Sequence, residues 1–204
     1  MDFAREIETD GVKIHFDCLA DGVVLDCRNE AVWLRTADCP TIIAHNSLTN
    51  EVVAAHAGRA SLIDQKNLQN GRPNRWPESI VQAMYQRLID PLRQSVWIEV
   101  YSCCGIGPKQ FCHPIDHPQY GSFNEKMNRY IALNYGQDCF LDGKVANGAL
   151  DLHRLIGNQF KLCGVPGDNI HRDSIDIAGE NDYFFSRRGG DQTGHNTILV
   201  IRRA

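Results

Sequence analysis

A cysteine and a histidine stand at corresponding ends of two short apolar segments in the first third of the chain. Cys39 precedes the segment PTIIAH (40–45), and His56 closes the segment EVVAAH (51–56). A thiol and an imidazole in contact can hold a metal ion together, or can act as a nucleophile and its general base. Either chemistry requires the two side chains to lie within a few ångströms of each other.

The two segments predict a β-hairpin that meets this requirement. They are rich in Val, Ile, Thr and Ala, and the polar stretch NSLTN (46–50) between them is typical of a turn. A hairpin centred near Leu48 places position 40 opposite His56, and cross-strand neighbours have Cβ atoms roughly 4.5–5.5 Å apart. The pattern therefore predicts that Cys39 and His56 lie side by side, flanked by Asp38 and Arg59.

Further strands and helices are predicted around the hairpin. Alternating or β-rich patterns indicate strands at 12–16, 23–27, 31–36, 96–102, 183–186 and 197–201. Helical spacing and capping residues indicate helices at 61–68, 77–90, 122–136 and 149–163. The early strands are expected to form one sheet. Since strands and helices do not alternate strictly, the sequence indicates the α+β class, as a single layered domain over residues 1–204.

Composition excludes several classes of function. The chain has 204 residues, of which 43% are hydrophobic and 23% charged, as in ordinary globular proteins. The formal net charge of −4 gives no basic surface for nucleic acid or acidic membranes. No apolar run approaches the ~18 residues of a membrane span, and the acidic start lacks a signal segment. A cytoplasmic protein with a small-molecule partner is expected, and the oligomeric state stays open.

Eight cysteines are spread irregularly along the chain. Without a secretion signal, free thiols are predicted rather than disulfides. Cys103 and Cys104 are adjacent, and neighbours in an extended strand point to opposite sides, which predicts that the two thiols do not share a metal. The absence of any CxxC motif also argues against a zinc site made of four thiolates.

The hairpin stretch resembles the core motif of the YfiH family, whose members are described as multicopper polyphenol oxidases (laccases) or purine nucleoside phosphorylases. That family reads TADC and then an alanine-rich strand ending in HAGWRG, and this chain has TADCP (36–40) and VVAAHAG (52–58). Other matching pieces follow in the family's order: CGIGP (104–108), LDL (150–152), CGV (163–165), FFSRR (184–188) and TGH (193–195). The resemblance implies one domain of mixed β-sheets covered by helices, similar to bacterial toxin deamidases.

The resemblance also implies a metal site. The family has three ligands, which are a His in a QVHG motif, the Cys of TADC and the His of HAG. The last two correspond to Cys39 and His56, but this chain has no QVHG. By position, Asp10 stands where its His belongs, His15 is the next candidate, and a site without a third ligand is also open. An Asp ligand favours zinc over copper. Two histidines after the IGP loop are further candidates, namely His113 and His117.

Arginines and glycines are the predicted substrate-binding residues. The Arg59 guanidinium follows the strand that carries His56, and Arg187 and Arg188 lie in the FFSRR motif; arginine forks match phosphate oxygens. Gly105 and Gly107 allow a ligand to approach the backbone closely. The predicted catalytic residues are Cys39, His56 and Arg59.

The resemblance implies phosphorolysis of purine nucleosides, with adenosine deamination as a related activity and phosphate as co-substrate. Zinc held by Cys39 and His56 would activate a water for attack on the purine. Copper-dependent polyphenol oxidation ranks lower, because the chain has eight histidines but no HxH pair. A Cys–His thiol hydrolase or amidase is a third hypothesis, and a binding protein without enzymatic activity is a fourth.

Overall fold

The computed structural model describes residues 3–18, 20–63, 68, 79–89 and 94–203. Within these residues, the regular structure consists of two β-sheets, three α-helices and five short 3-10 helices. This arrangement confirms the α+β prediction. The helix predicted at 61–68 lies largely outside the described residues. The predicted start of the next helix, at Pro77, also lies outside them.

The first sheet has four strands in the order β1-β2-β4-β9. They are β1 (Phe3–Thr9), β2 (Val12–Cys18), β4 (Glu30–Thr36) and β9 (Asn196–Arg202). β2 runs parallel to β4, while β1 and β9 are antiparallel to their neighbours. The sheet therefore joins the N-terminal strands to the last strand of the chain.

The second sheet has five strands in the order β3-β6-β5-β7-β8. They are β3 (Gly22–Leu25), β5 (Thr41–Asn46), β6 (Glu51–His56), β7 (Ile98–Cys103) and β8 (Ile170–Arg172). Only the β7–β8 pair is parallel. The predicted hairpin is confirmed as β5 and β6 at the centre of this sheet.

The expectation that the early strands form one sheet is wrong. β2 and β4 belong to the first sheet, whereas β3, β5 and β6 belong to the second. The reason is a small core between the sheets, which buries alternate residues of strands from both: Val23, Leu25, Val32, Leu34, Ala54 and Val200. Burying these faces against each other requires β4 to pair with β9, a partner distant in sequence.

Three helices cover the other face of the five-stranded sheet. They are α1 (Ile80–Leu88), α2 (Gly121–Tyr135) and α3 (Leu152–Leu162). Ser79 and Asp151 cap α1 and α3 through their side chains. The helix predicted to start at 122 begins one residue earlier, at Gly121, after Tyr120, which makes no side-chain cap. The larger core lies here, with Phe140 and Phe160 among its fully buried side chains.

The predicted strand at 183–186 is a series of turns instead. The Tyr183 and Phe184 amides donate to the carbonyl of Glu180, and the buried Ser186 bonds to Asp38. The segment thus attaches to the loop that carries Cys39 rather than to a sheet. No helix in the described ranges is long and apolar enough to cross a bilayer.

Candidate functional site

The hairpin places Cys39 and His56 at the same end of the second sheet. Thr41 pairs with His56, so the register differs by one residue from the prediction that position 40 faces His56. The Ala57 amide donates to the Pro40 carbonyl at 2.8 Å, which continues the pairing beyond the strands. Cys39 and the residues after His56 are therefore held opposite each other.

Gly58 is the point at which the two side chains meet. A Cβ built on Gly58 would lie 3.3 Å from His56 Cε1 and 3.4 Å from Cys39 Sγ. Both reactive side chains thus border the same small volume, which a glycine leaves open. The structure brings together the pair that the hairpin pattern predicts.

Replacing Gly58 with alanine is expected to disturb this pair while preserving the fold. The new methyl group would push His56 and Cys39 by a few tenths of an ångström, and we expect metal affinity at the pair to fall about tenfold. Zinc titration with a thermal melt measures both effects. Gly157→Ala is the matched control, because its Cβ would meet only Ile170 Cγ2 at 3.5 Å. Unchanged zinc affinity in Gly58→Ala would contradict the placement.

Burial favours the neutral forms of both groups. It raises the pKa of the Cys39 thiol, with a further increase from Asp38 and an opposing decrease from Arg59. Burial also lowers the pKa of His56, which Asp21 partly offsets. A thiolate–imidazolium pair requires the opposite shifts. Cys39 therefore has the character of a metal ligand, deprotonated by the cation it binds, more than that of a free nucleophile.

Asp38 ties together the loops around the pair. Its side chain is 6% exposed; it accepts hydrogen bonds from the Ser186 hydroxyl at 2.5 Å and the Arg188 amide at 3.1 Å. Its own carbonyl accepts from the Ile106 amide at 2.8 Å. Asp38 adopts φ 101°, a conformation that costs energy for a residue with a Cβ. The carboxylate thus orients backbone turns and holds the loop that carries Arg188.

Two arginines lie beside the Cys39–His56 pair. Arg59 Nη1 is 2.7 Å from His113 Nδ1, and its guanidinium lies 5.9 Å from the centroid of the Phe123 ring. The Arg188 guanidinium lies 5.5 Å from the centroid of the Phe111 ring. Burial lowers the pKa of Arg59, and the nearby charge of Arg188 lowers it further. Within the described ranges neither guanidinium has a salt-bridge partner, so the two cations can share an anion.

His113 completes this group from the loop before α2. Its Nδ1 faces the Arg59 guanidinium, which can only donate, so Nδ1 accepts and Nε2 carries the proton. The Nε2 atom is buried and has no hydrogen-bond partner among the described residues. Burial and the charges of Arg59 and Arg188 lower the pKa of His113 to about 3. His113 is therefore a neutral N–H donor at physiological pH.

This shift predicts a pH-dependent stability. The folded-state pKa of His113 lies below the ordinary value of 6.5, so the unfolded chain binds more protons between about pH 3 and 6.5. The free energy of unfolding should fall as pH drops through 6.5, by up to about 1.4 kcal/mol per pH unit for one proton. Urea melts between pH 7 and 4 should show a shallower decline in His113→Gln than in the wild type. Exposed His171→Gln should keep the wild-type slope, and identical slopes in all three proteins would refute the assignment.

Asp10 and His15 do not lie near the pair. Asp10 is in the β1–β2 turn, beside the Glu30 end of β4, whereas Cys39 follows the Thr36 end. The length of β4 separates them, roughly 20 Å at about 3.3 Å per residue. His15 pairs with Val32 in mid-strand, and its Nε2 is 3.5 Å from Glu30 Oε1. A strand cannot bend enough to bring either side chain to Cys39.

The glycines of the IGP loop pack closely against protein on one side, and Gly107 also lines a cleft of about 490 Å³. A Cβ on Gly105 would overlap the His153 ring, and one on Gly107 would overlap the Asp176 carboxylate. The Gly107 amide already donates to Asp176 Oδ1 at 2.8 Å. These glycines are needed for close internal packing, and their binding of substrate stays a prediction.

Two other predicted residues lie at the margin of the site. Arg187 is exposed, and its Nη2 is 3.4 Å from His195 Nε2. His117 Nδ1 accepts from the amides of Gln119 and Tyr120 ahead of α2. Sequence reasoning missed Phe111 and Ser186 and gave His113 only as an additional candidate ligand. An aromatic residue two positions before a histidine was the available signal for Phe111 and His113.

The comparisons with known proteins agree with this architecture. A family model described as "Multi-copper polyphenol oxidoreductase laccase" matches residues 6–203, so the chain belongs to that family. The family is named for an oxidoreductase, which indicates an enzyme. No match to a curated protein was found.

Several solved structures share the fold. The hypothetical protein YfiH of Bacillus licheniformis aligns with a TM-score of 0.66 and 22% identity, over 88% of this chain and 60% of that one. YlmD from Geobacillus stearothermophilus aligns with a TM-score of 0.67 and 22% identity, over 90% of this chain and 61% of that one. A Neisseria meningitidis protein aligns with a TM-score of 0.64 and 22% identity, over 91% of this chain and 65% of that one. The chain thus spans less than two thirds of the length of these structures.

The family's name raises the question of which metal the residues fit. Copper centres of the blue type use two histidines and a cysteine. Within the described ranges, no group of three neighbouring donor atoms contains a histidine, so these residues do not fit such a centre. The thiol and imidazole of Cys39 and His56 suit zinc as two of its usual ligands. A third donor would have to come from outside the described residues or from substrate or water.

Proposed function

We propose that the chain is an enzyme of the purine nucleoside phosphorylase type, which acts on a purine nucleoside and inorganic phosphate beside Cys39 and His56. One observation carries the proposal: the guanidinium groups of Arg59 and Arg188 are close enough to depress the pKa of Arg59, yet they have no carboxylate partner among the described residues. Two such cations at the edge of a half-buried Cys–His pair are suited to a small anion.

The arginines have the geometry that phosphate binding requires. A guanidinium presents parallel N–H donors that match phosphate oxygens, and a bound anion would relieve the repulsion between the two cations. Contacts with the Phe123 and Phe111 rings restrict where Arg59 and Arg188 can point. This restriction holds the donors in place before the anion arrives and lowers the entropic cost of binding.

His113 adds a neutral donor to the arginines. Its protonated Nε2 has no partner in the described part of the chain, and a buried donor gains most from an acceptor on the substrate. Because the pKa of His113 is lowered to about 3, the ring keeps its Nε2 proton and donates a hydrogen bond without becoming a cation. A phosphate oxygen or a ring nitrogen of the purine is a suitable acceptor.

In phosphorolysis, a phosphate oxygen forms a bond to C1′ of the ribose as the C1′–N9 bond breaks. The electron pair leaves with the purine, which then takes up a proton. Arg59 and Arg188 would hold the phosphate in line with C1′ and exclude other orientations. Zinc, when held by Cys39 and His56, supplies a Lewis acid beside these groups. The same ion would permit adenosine deamination as a second activity.

The competing functions receive less support. Copper-dependent polyphenol oxidation is favoured by the family's description but not by the donor set of the described residues. A Cys–His thiol hydrolase would need a thiolate, whereas burial raises the pKa of Cys39. A binding protein without activity would have no need for arginines held ready for an anion.

The test is a screen of purine nucleosides with and without phosphate, following base release, with oxygen uptake on phenols in parallel. We expect release that depends on phosphate. Because hydrogen bonds to charged groups are worth about 1.5–3 kcal/mol, Arg59→Gln and Arg188→Gln should raise the phosphate KM about ten- to a hundredfold. Arg187→Gln is the matched control and should not. Oxygen uptake without base release would refute the proposal in favour of the oxidase.

A further inference from the structure

A second group of metal-ligating side chains lies at the end of the same sheet, apart from the site described above. The ligand atoms of Cys103, Cys104 and Asp173 all lie within 4.8 Å of one another. Donor atoms around a tetrahedral zinc ion are separated by roughly 3.4–3.8 Å, given bonds of about 2.3 Å to sulfur and 2.0–2.2 Å to oxygen. The three side chains need only a small contraction to reach that geometry.

The backbone explains why two adjacent cysteines can act together here. The prediction that their thiols point to opposite sides assumes extended backbone, but Cys104 adopts φ 54°, in the left-handed region. β7 ends at Cys103, and the reversal at Cys104 brings its thiol round to that of Cys103. The proximity of the two thiols raises the pKa of Cys103 and lowers that of Cys104. The prediction from strand pleating is therefore corrected.

Asp173 completes the group from the segment after β8. Its amide donates to the Ser102 carbonyl, and its Oδ2 accepts from the Cys104 amide at 2.9 Å. Its Oδ1 is buried and has no hydrogen-bond partner among the described residues. The neighbouring cation Arg172 bonds instead to Asp151 Oδ2 at 3.0 Å. A buried carboxylate oxygen without a partner beside two thiols is costly unless a cation is present.

We propose that Cys103, Cys104 and Asp173 form a binding site for a soft divalent ion, with zinc as the expected occupant. Two thiolates and a carboxylate are a zinc donor set, and the fourth position would be taken by water. Asp173 lines a cleft of about 490 Å³, which gives the ion a route from solvent. The site is independent of the proposed function.

The new site is separate from the Cys39–His56 pair. Thr41 of β5 pairs with His56 on one side and with Cys103 on the other. Two strand spacings of about 4.8 Å therefore lie between His56 and Cys103. One ion cannot bridge them, so each site would bind its own.

An ion at this position would link the end of β7 to the segment after β8. The segment after β8 continues to Asp176, whose Oδ1 accepts a hydrogen bond from the Gly107 amide. Ile106, the residue before Gly107, donates from its amide to the Asp38 carbonyl. This metal-mediated link would stabilise the IGP loop, which supports the turn that carries Cys39. Its role would be structural, because the ion would join two backbone segments.

Cobalt binding under reducing conditions tests the proposal. In a Cys39→Ser/His56→Ala background, one Co²⁺ per chain should bind with thiolate-to-cobalt charge-transfer absorption. In this background, a further Cys103→Ser or Cys104→Ser substitution should weaken cobalt binding by at least roughly 10–100-fold, the loss typical of removing a group that only supports a ligand. Asp173→Asn should weaken cobalt binding by a similar factor. The half-buried Cys163→Ser is the matched control and should retain binding.

A second measurement avoids the risk that a variant fails to fold. In the unaltered chain, zinc should protect Cys103 and Cys104 from alkylation by a maleimide, as mapped by peptide mass, while exposed Cys27 still reacts. Equal labelling of Cys103 and Cys104 with and without zinc would overturn the proposal. A Cys103–Cys104 disulfide that persists in reductant, or cobalt uptake that depends on Cys27 alone, would also overturn it.

Discussion

Replacing Cys39 with alanine is expected to remove nucleoside turnover while leaving the fold intact. Loss of one catalytic group typically costs 10²–10⁴-fold in rate, so we expect a drop of at least about a hundredfold. Cys39 is half-buried beyond the end of β4, and its loss should change the free energy of unfolding by less than about 1 kcal/mol. Steady-state turnover and urea melts of the same preparation measure both quantities.

Cys163→Ala is the control for this experiment, since it also removes a half-buried thiol but at the far end of α3. It should keep full turnover. Wild-type turnover in Cys39→Ala would exclude Cys39 from the mechanism, and a collapsed melting transition would assign the thiol to packing instead.

Zinc stoichiometry in the same series decides what the pair does. Cys39→Ala and His56→Ala should lose the zinc bound by the pair, while Asp10→Ala and His15→Ala should retain it, because the structure places both residues far along the first sheet. Fast iodoacetamide labelling of Cys39 in a protein without zinc would support the thiol dyad. An inert Cys39 without zinc would support a binding protein without activity.

Replacing Asp38 with alanine is expected to have the largest effect on stability at the site. The change leaves the buried Ser186 hydroxyl and the Arg188 amide without their acceptor, and a buried unsatisfied donor costs about 1–3 kcal/mol. We therefore expect a loss of about 2–6 kcal/mol in the free energy of unfolding, for two such donors. The loop that carries Arg188 should also loosen, which raises the phosphate KM.

Two variants separate the causes of that loss. Asp38→Asn keeps an acceptor and should lose less stability than alanine, whereas Asp168→Ala, at an exposed position of a 3-10 helix, should be neutral. Asp38→Gly relieves the backbone at φ 101° but has no acceptor. If glycine restored full stability, backbone strain rather than the hydrogen bonds would explain the alanine result.

The same residues show how far local pattern reaches in this chain. The β5–β6 hairpin could be predicted because short-range alternation and a polar turn fix which residues pair, and the pairing alone brings Cys39 next to His56. α3 could be predicted for a similar reason, since its apolar spacing and the Gly164 stop lie within one segment. The register error of one residue reflects a turn whose centre the composition of 46–50 does not specify.

What the local pattern could not supply was any contact between distant segments. The division into two sheets depends on β4 pairing with β9, about 165 residues later in the chain, since these partners bury a common face. The meeting of Arg59 with His113, and of Asp38 with Ser186, likewise joins loops that share no periodicity. The left-handed turn at Cys104 is set by its neighbours, so strand pleating wrongly predicted that the thiol cluster would not form.

The sequence by itself thus determined the reactive pair, because hairpin geometry is local. The tertiary structure alone decided which charges surround that pair. It placed Asp10 and His15 at the far end of a strand, packed Gly105 and Gly107 closely against His153 and Asp176, and brought Arg59, Arg188 and His113 together. The physical reason is that burial and long-range pairing, rather than residue type, set the distances and pKa values on which the chemistry depends.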